Sequence, residues 1–315
     1  MPLHPVIQAE LAVAAGKAPY YQLPLSQARE TVRKPYLGRP TQVPVAAVRE
    51  IDVPGPHGDI RVRLYTPFAQ GPCPLIVFFH GSGFALLDLD THDDLCRRLC
   101  GDSGCVVASV DYRLAPEHKF PAGPDDCIAA TRWLAVHAQA IGCRDAAPAL
   151  VGDSAGACLA IATALGLRDG AGPEAAALLM WYPVTDHPSA GWPSYSEFAQ
   201  GCGLTAEGMA WFWSQYLHDE SEAPEASPLR ASSLAGLPPT WVMTAEYDVL
   251  RDEGEAFAQR AQCDGVPVHL QRAAGMNHGF LKYAGVIDEA TQAIAAAGAW
   301  LRATVDACAT EDERQ

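Results

Sequence analysis

Strand-length apolar runs recur along this chain, and several lead into stretches of helical composition. They are Leu75 to Phe79, Cys105 to Val110, Ala149 to Val151, Ala175 to Trp181 and Pro239 to Ala245. An apolar run without polar alternation marks a strand buried on both faces, which a parallel sheet covered by helices provides. Helices are expected from His92, from Pro124 to Ala140 and from Ala155 to Leu167. Earlier, Ile60, Val62 and Leu64 alternate with Arg61 and Arg63, the period of a half-exposed antiparallel strand. This order predicts an α/β fold with a mostly parallel sheet.

Size and composition fit one large domain spanning residues 1–315. Apolar residues make up 49% of the chain, enough for a substantial core. A net charge of −15 argues against nucleic acid and anionic membrane surfaces as partners. No apolar run reaches spanning length without Gly, Pro or charge, and the first thirty residues do not read as an export signal. The ten cysteines are then expected to be reduced thiols, mostly small apolar core residues, with cytoplasmic residence following. They do not form the paired four-ligand spacing that a structural metal requires. The tail from Glu311 to Gln315 is expected to fray into solvent.

Chemistry concentrates in three segments. The first is Gly152-Asp153-Ser154-Ala155-Gly156, led in by Ala149-Leu150-Val151 and followed by an Ala- and Leu-rich helix. A Gly-x-Ser-x-Gly pattern arises by chance in about one chain in ten of this length, so its setting decides its meaning. Here the setting is a strand turning sharply into a helix, where flanking glycines relieve crowding and leave the serine exposed at the sheet's carboxyl end.

A serine hydroxyl needs a base within hydrogen-bonding reach. Of ten histidines, His278 lies in the loop Ala274 to Gly279, after the strand-like run Val266 to Gln271 and before a long C-terminal helix. His80 belongs to a glycine-rich loop and His118 to a turn. The base in turn needs a carboxylate. Asp248, three residues beyond the run ending at Ala245, is the candidate, with Glu246 and Asp252 as alternatives. Asp252 and Glu253 otherwise read as acids at a helix start. The run Leu75 to Phe79 ends in His80-Gly81-Ser82-Gly83, whose small residues let main-chain amides approach a substrate closely. The amides of Ser82, Gly83 and Ala155 are the candidate oxyanion donors.

These motifs, with Asp111 to Glu117, Tyr247 to Gly254 and Asn277-His278-Gly279-Phe280, resemble the hormone-sensitive-lipase-like esterases, bacterial family IV of the α/β-hydrolases. The resemblance implies an eight-stranded sheet and a Ser154–His278–Asp248 triad. It also implies a small-molecule ester substrate of short to medium acyl length, with no cofactor and no metal. Homodimers are common in that family, and no interface is readable here. Two positions depart from its pattern: Ser82 replaces the middle glycine of the loop, and Val249 stands where proline is common. A serine at a position of positive φ would cost of order 1 kcal/mol.

Two pieces fall outside the alternation, about residues 1–45 and about 187–222, and the resemblance implies that they form a helical cap. In the second, Met209, Phe212, Trp213 and Tyr216 form an amphipathic stripe with Thr205 as N-cap. Trp211, Phe212 and Trp213 either pack that helix down or line the substrate site. An amidase or formamidase, a lipase, and a ligand-binding receptor on the same fold are the rival readings. The retained His278 speaks against the receptor.

Overall fold

The apolar runs become the centre of one eight-stranded sheet in a computed structural model that describes residues 1–37, 43–170 and 172–312. In chain order the strands are β1 (Ala47–Gly55), β2 (Gly58–Thr66), β3 (Leu75–Phe79), β4 (Val106–Val110), β5 (Ala149–Asp153), β6 (Ala177–Trp181), β7 (Thr240–Tyr247) and β8 (Val268–Asn277). They lie side by side as β1-β2-β4-β3-β5-β6-β7-β8. β2 pairs antiparallel with both β1 and β4, and from β4 onward every pairing is parallel. Parallel neighbours need crossovers, and helices supply them.

The helices are α1 (Pro5–Ala14), α2 (Leu25–Leu37), α3 (Asp93–Ser103), α4 (Ala122–Val136), α5 (Ala155–Asp169), α6 (Pro193–Glu197), α7 (Ala206–Tyr216), α8 (Ala223–Ala226), α9 (Arg251–Cys263) and α10 (Asp288–Asp312). Alternation along β3 divides the core. Ile76 and Phe78 face the layer of α3 and α10, while Leu75, Val77 and Phe79 face the layer of α4, α5 and α9. On α10 the residues Ala290, Ala293, Ile294, Ala297, Leu301 and Val305 form the buried stripe. Its Gly298 lets α3 approach closely, since a Cβ there would lie 2.8 Å from that of Asp102. α3 is fixed locally by Arg97–Asp93 and Arg98–Asp94 pairs, both at 2.7 Å and both i,i+4.

Several boundaries differ from the sequence reading. β7 continues two residues past Ala245, so Asp248 follows the strand directly. β8 likewise runs on to Asn277, through what reads as loop, because pairing resumes at Tyr247 and Asn277 after a register shift. α4 stops at Val136 and a separate turn spans Gln139–Ile141. The ring of His137 bonds back to the Trp133 carbonyl at 2.8 Å. β1 is missing from the sequence reading because its charged residues Arg49, Glu50 and Asp52 mask an exposed edge strand. Glu311 and Asp312 belong to α10 rather than to a frayed tail, and residues 313–315 lie outside the described residues, as do 38–42 within the expected N-terminal piece. No helix among the described residues is long and apolar enough to cross a membrane.

Candidate active site

Ser154 sits at the junction of β5 and α5 with φ 55° and ψ −123°, a backbone state that costs about 1–3 kcal/mol. The flanking glycines are there for lack of space. A Cβ on Gly156 would overlap the Phe79 carbonyl, and one on Gly152 would overlap the Gly156 carbonyl. The turn is therefore so tight that only glycine fits either side. Ser154 is 9% exposed, with its amide bonded to the Trp181 carbonyl at 2.9 Å.

The structure brings the three separated candidates together. His278 Nε2 lies 2.9 Å from Ser154 Oγ, and His278 Nδ1 lies 2.8 Å from Asp248 Oδ2. Asp248 is 1% exposed, and its other oxygen accepts from the Leu250 amide at 3.0 Å. Because Nδ1 faces a carboxylate, that nitrogen carries the proton and Nε2 is left to accept from the serine. The alternative acids are engaged elsewhere. Glu246 accepts from the Gly275 amide at 2.6 Å, and that bond draws its carboxyl below the usual range despite partial burial. Asp252 accepts from the Ser194 amide and pairs with Arg251, both at 2.8 Å. His118 is exposed on the surface.

Glu253 lies in the first turn of α9, as expected of a helix-start acid, but its side chain points inward. It is fully buried, and its Oε1 accepts from the amides of Thr185 and Asp186 at 2.7 and 3.2 Å. Burial pushes its carboxyl well above the usual range, against the pull of those amides.

The loop after β3 is bound tightly to the serine turn. Asp153 Oδ1 accepts from the Gly81 amide at 2.6 Å and lies 3.3 Å from His92 Nε2. A Cβ on Gly81 would lie 2.5 Å from Asp153 Oδ2, so glycine is needed for this approach. Burial raises the Asp153 carboxyl, yet His92 and the Gly81 amide outweigh it and hold it below its ordinary value. His80 is wholly buried, and burial together with nearby His92 pushes its imidazole down to about 3. Tyr112 stacks on His80 at 4.5 Å and donates to the His80 carbonyl at 2.6 Å. In this loop positive φ falls on Gly83 (54°) and Phe84 (64°), leaving Ser82 free of the cost that such a conformation imposes. Among the described residues, the amides of Ser82 and Gly83 have no protein acceptor.

These groups border a cavity of about 710 Å³ lined by Ser82, Gly83, Ser154, Tyr182 and His278. Its upper wall comes from outside the sheet: Leu11 and Tyr20 from the N-terminal piece, Val32 and Tyr36 from α2, Leu204, and Met209 and Phe212 from α7. Thr205 caps α7 by accepting from the Gly208 amide at 2.9 Å. Phe212 rests so closely on Gly83 that a Cβ there would overlap its ring. Trp211 instead packs against Tyr20 at 5.7 Å, and Trp213 against Phe84 at 5.9 Å. Arg29 of α2 ties this wall to the loops after β3 and β4 through a bidentate pair with Glu117, at 2.7 Å for each bond, and a bond to the Ala85 carbonyl.

Sequence reasoning gave no role to His92, Tyr112, Asp153 or Tyr182, which surround the site. Asp153 and Tyr112 stand inside motifs already singled out, which was the available signal. His92 read only as a helix start. Tyr182, with φ 39° and its ring edge-on to His278 at 4.8 Å, carries no sequence mark of that contact. Among the described residues no group of His, Cys, Asp and Glu is placed to hold a metal ion.

The strand order and the serine turn define an α/β-hydrolase. The family described as alpha/beta hydrolase fold matches residues 76–282. Esterase LipI of Mycobacterium tuberculosis is 39% identical over 283 residues, 87% of this chain and 88% of that protein. Ethyl acetate hydrolase of Pseudomonas putida is 36% identical over 241 residues, 74% of this chain and 75% of the relative. The solved structure of a hyperthermophilic esterase from the archaeon Pyrobaculum calidifontis superposes with a TM-score of 0.92 at 37% identity, covering 96% of this chain and 99% of that one. The chain belongs to the α/β-hydrolase superfamily, in the hormone-sensitive-lipase-like branch of carboxylesterases.

Proposed function

We propose that the protein hydrolyses carboxylic esters of small alcohols and short-to-medium acyl chains through a Ser154–His278–Asp248 triad and an acyl-enzyme. The observation that carries this reading is the continuous pair of hydrogen bonds, 2.9 Å from Ser154 to His278 and 2.8 Å from His278 to Asp248. His278 takes the hydroxyl proton as Ser154 Oγ attacks the ester carbonyl. The amides of Ser82, Gly83 and Ala155 receive the developing negative charge. The imidazolium, stabilised by Asp248, protonates the departing alcohol, and water repeats the sequence on the acyl-enzyme.

Two walls outside the sheet, about residues 1–45 and 187–222, act as a cap that excludes bulk water and leaves an apolar chamber. The cavity of about 710 Å³, narrowed by Phe212 over Gly83, suits a compact acyl group. The relative whose name specifies ethyl acetate supports the short end of that range. Ten unbridged cysteines, most of them buried, support a reducing, cytoplasmic setting.

Nitrophenyl esters of graded acyl length, run beside matched amides, test the proposal. Ester turnover that declines beyond medium chains and vanishes in Ser154→Ala is the expected result. Faster cleavage of the amides would make the protein an amidase. Activation by lipid droplets would make it a lipase.

A further inference from the structure

Ser82 stands where the resembled family places glycine, and its side chain is bonded. Ser82 Oγ lies 2.8 Å from Tyr112 Oη, and Tyr112 Oη lies 2.6 Å from the His80 carbonyl oxygen. Proton counting fixes the direction of both bonds. A carbonyl only accepts and a phenol has one proton, so Tyr112 donates to His80 and Ser82 donates to Tyr112. The Ser82 hydroxyl proton is thereby directed away from any substrate.

All three partners are buried: His80 is 0%, Tyr112 3% and Ser82 4% exposed. In such surroundings an unmade bond costs more than the same bond on the surface, and linked hydroxyls strengthen one another. The Gly81 amide, between the two tethered residues, is held by Asp153 at 2.6 Å. Three consecutive residues of the loop are therefore fixed from outside it. The amides of Ser82 and Gly83 that follow have no protein acceptor among the described residues.

We propose that the Ser82 side chain and the Tyr112 hydroxyl act as one relay that holds the oxyanion loop in working geometry, making both of them positioning residues. The proposal rests on the oxyanion assignment made above. It gives the serine a role that a third glycine could not fill.

The test is a double-mutant cycle on the full chain with p-nitrophenyl butyrate: wild type, Ser82→Ala, Tyr112→Phe and the double variant, with Ser82→Gly alongside. Each single change keeps every backbone amide. Each is expected to lower kcat about tenfold, the scale of one hydrogen bond, with KM within about twofold. The double variant is expected to lose about tenfold as well, not a hundredfold, because one relay is broken only once. Ser82→Gly is expected to match Ser82→Ala. Losses that multiply, losses confined to KM, or a kcat at or above wild type in either Ser82 variant overturn the relay. If Tyr112→Phe does not fold, the two Ser82 variants still decide the matter through kcat and their thermal midpoints. A wild type inert towards the ester would remove the esterase reading and the relay together, whereas an active wild type with multiplying losses removes the relay alone.

Discussion

The imidazole of His278 is held from behind by Asp248 across 2.8 Å, with the carboxylate 1% exposed and the Leu250 amide on its second oxygen. Asp248→Asn can keep the contact but offers an amide that favours the wrong tautomer. It is expected to lower kcat by about 10³–10⁴, with little change in thermal midpoint. Steady-state kinetics with a nitrophenyl ester, beside an inactive Ser154→Ala control, make the comparison. Activity within about tenfold of wild type would rule out Asp248 as the acid of the proposed triad.

Gly156→Ala should be a folding mutation before it is a catalytic one. Its Cβ would meet the backbone of Phe79 and His80, which no side-chain rotation relieves. The expected cost is at or above the upper end of the ~1–3 kcal/mol typical of overpacking. The denaturant midpoint reports it. An unchanged midpoint would mean that the backbone of Phe79 and His80 yields to the added methyl at little cost.

Glu253 sets a pH dependence whose sign follows from its burial. Its carboxyl is raised in the folded protein, so the native state holds a proton that the unfolded chain has released. The stabilisation is complete below the unfolded value of about 4.5 and is lost as pH rises towards the folded one. Glu253→Gln supplies a neutral group of the same shape and keeps an acceptor for the Thr185 and Asp186 amides. Its unfolding free energy should fall less steeply than that of wild type between about pH 5 and 8. Parallel curves for the two proteins would count against a protonated Glu253.

Phe212 limits room over the loop, since its ring occupies the place where a Cβ on Gly83 would project. Phe212→Ala should raise the ratio of kcat/KM for hexanoate over acetate by about tenfold or more, the scale of an added methylene or two in a pocket. An unchanged ratio would show that chain length is sensed elsewhere.

How much of this could be read from the residues varies with the kind of interaction. The apolar runs identified the central strands because burial on both faces leaves no polar alternation to confuse. β1 escaped, being an edge strand whose side chains mostly meet water. Ser154 and its glycines were legible since a steric rule links their types to one turn. Asp248 was favoured but not isolated from Glu246 and Asp252, because only tertiary contacts show that those two carboxylates bond to Gly275 and Ser194. Glu253 was legible as a helix-start acid but its burial was not, because the backbone amides it accepts from lie some seventy residues earlier. His92 acts across a distant loop and has no local pattern, and the motif that holds Tyr112 does not reveal its bond to His80. What is legible is what sterics and periodicity dictate over a few residues. What is not is the partner chosen by a polar side chain.

The distribution of thiols has a practical corollary for labelling. Seven of the ten cysteines are buried, two are partly covered, and Cys263, at the end of α9, is exposed. Burial raises Cys96, Cys100, Cys105, Cys127, Cys143 and Cys158 away from the reactive thiolate. A maleimide dye used sparingly at neutral pH should therefore mark the folded protein first at Cys263. The same reagent would reach the interior positions only as the chain opens, so its uptake would time unfolding without any engineered probe.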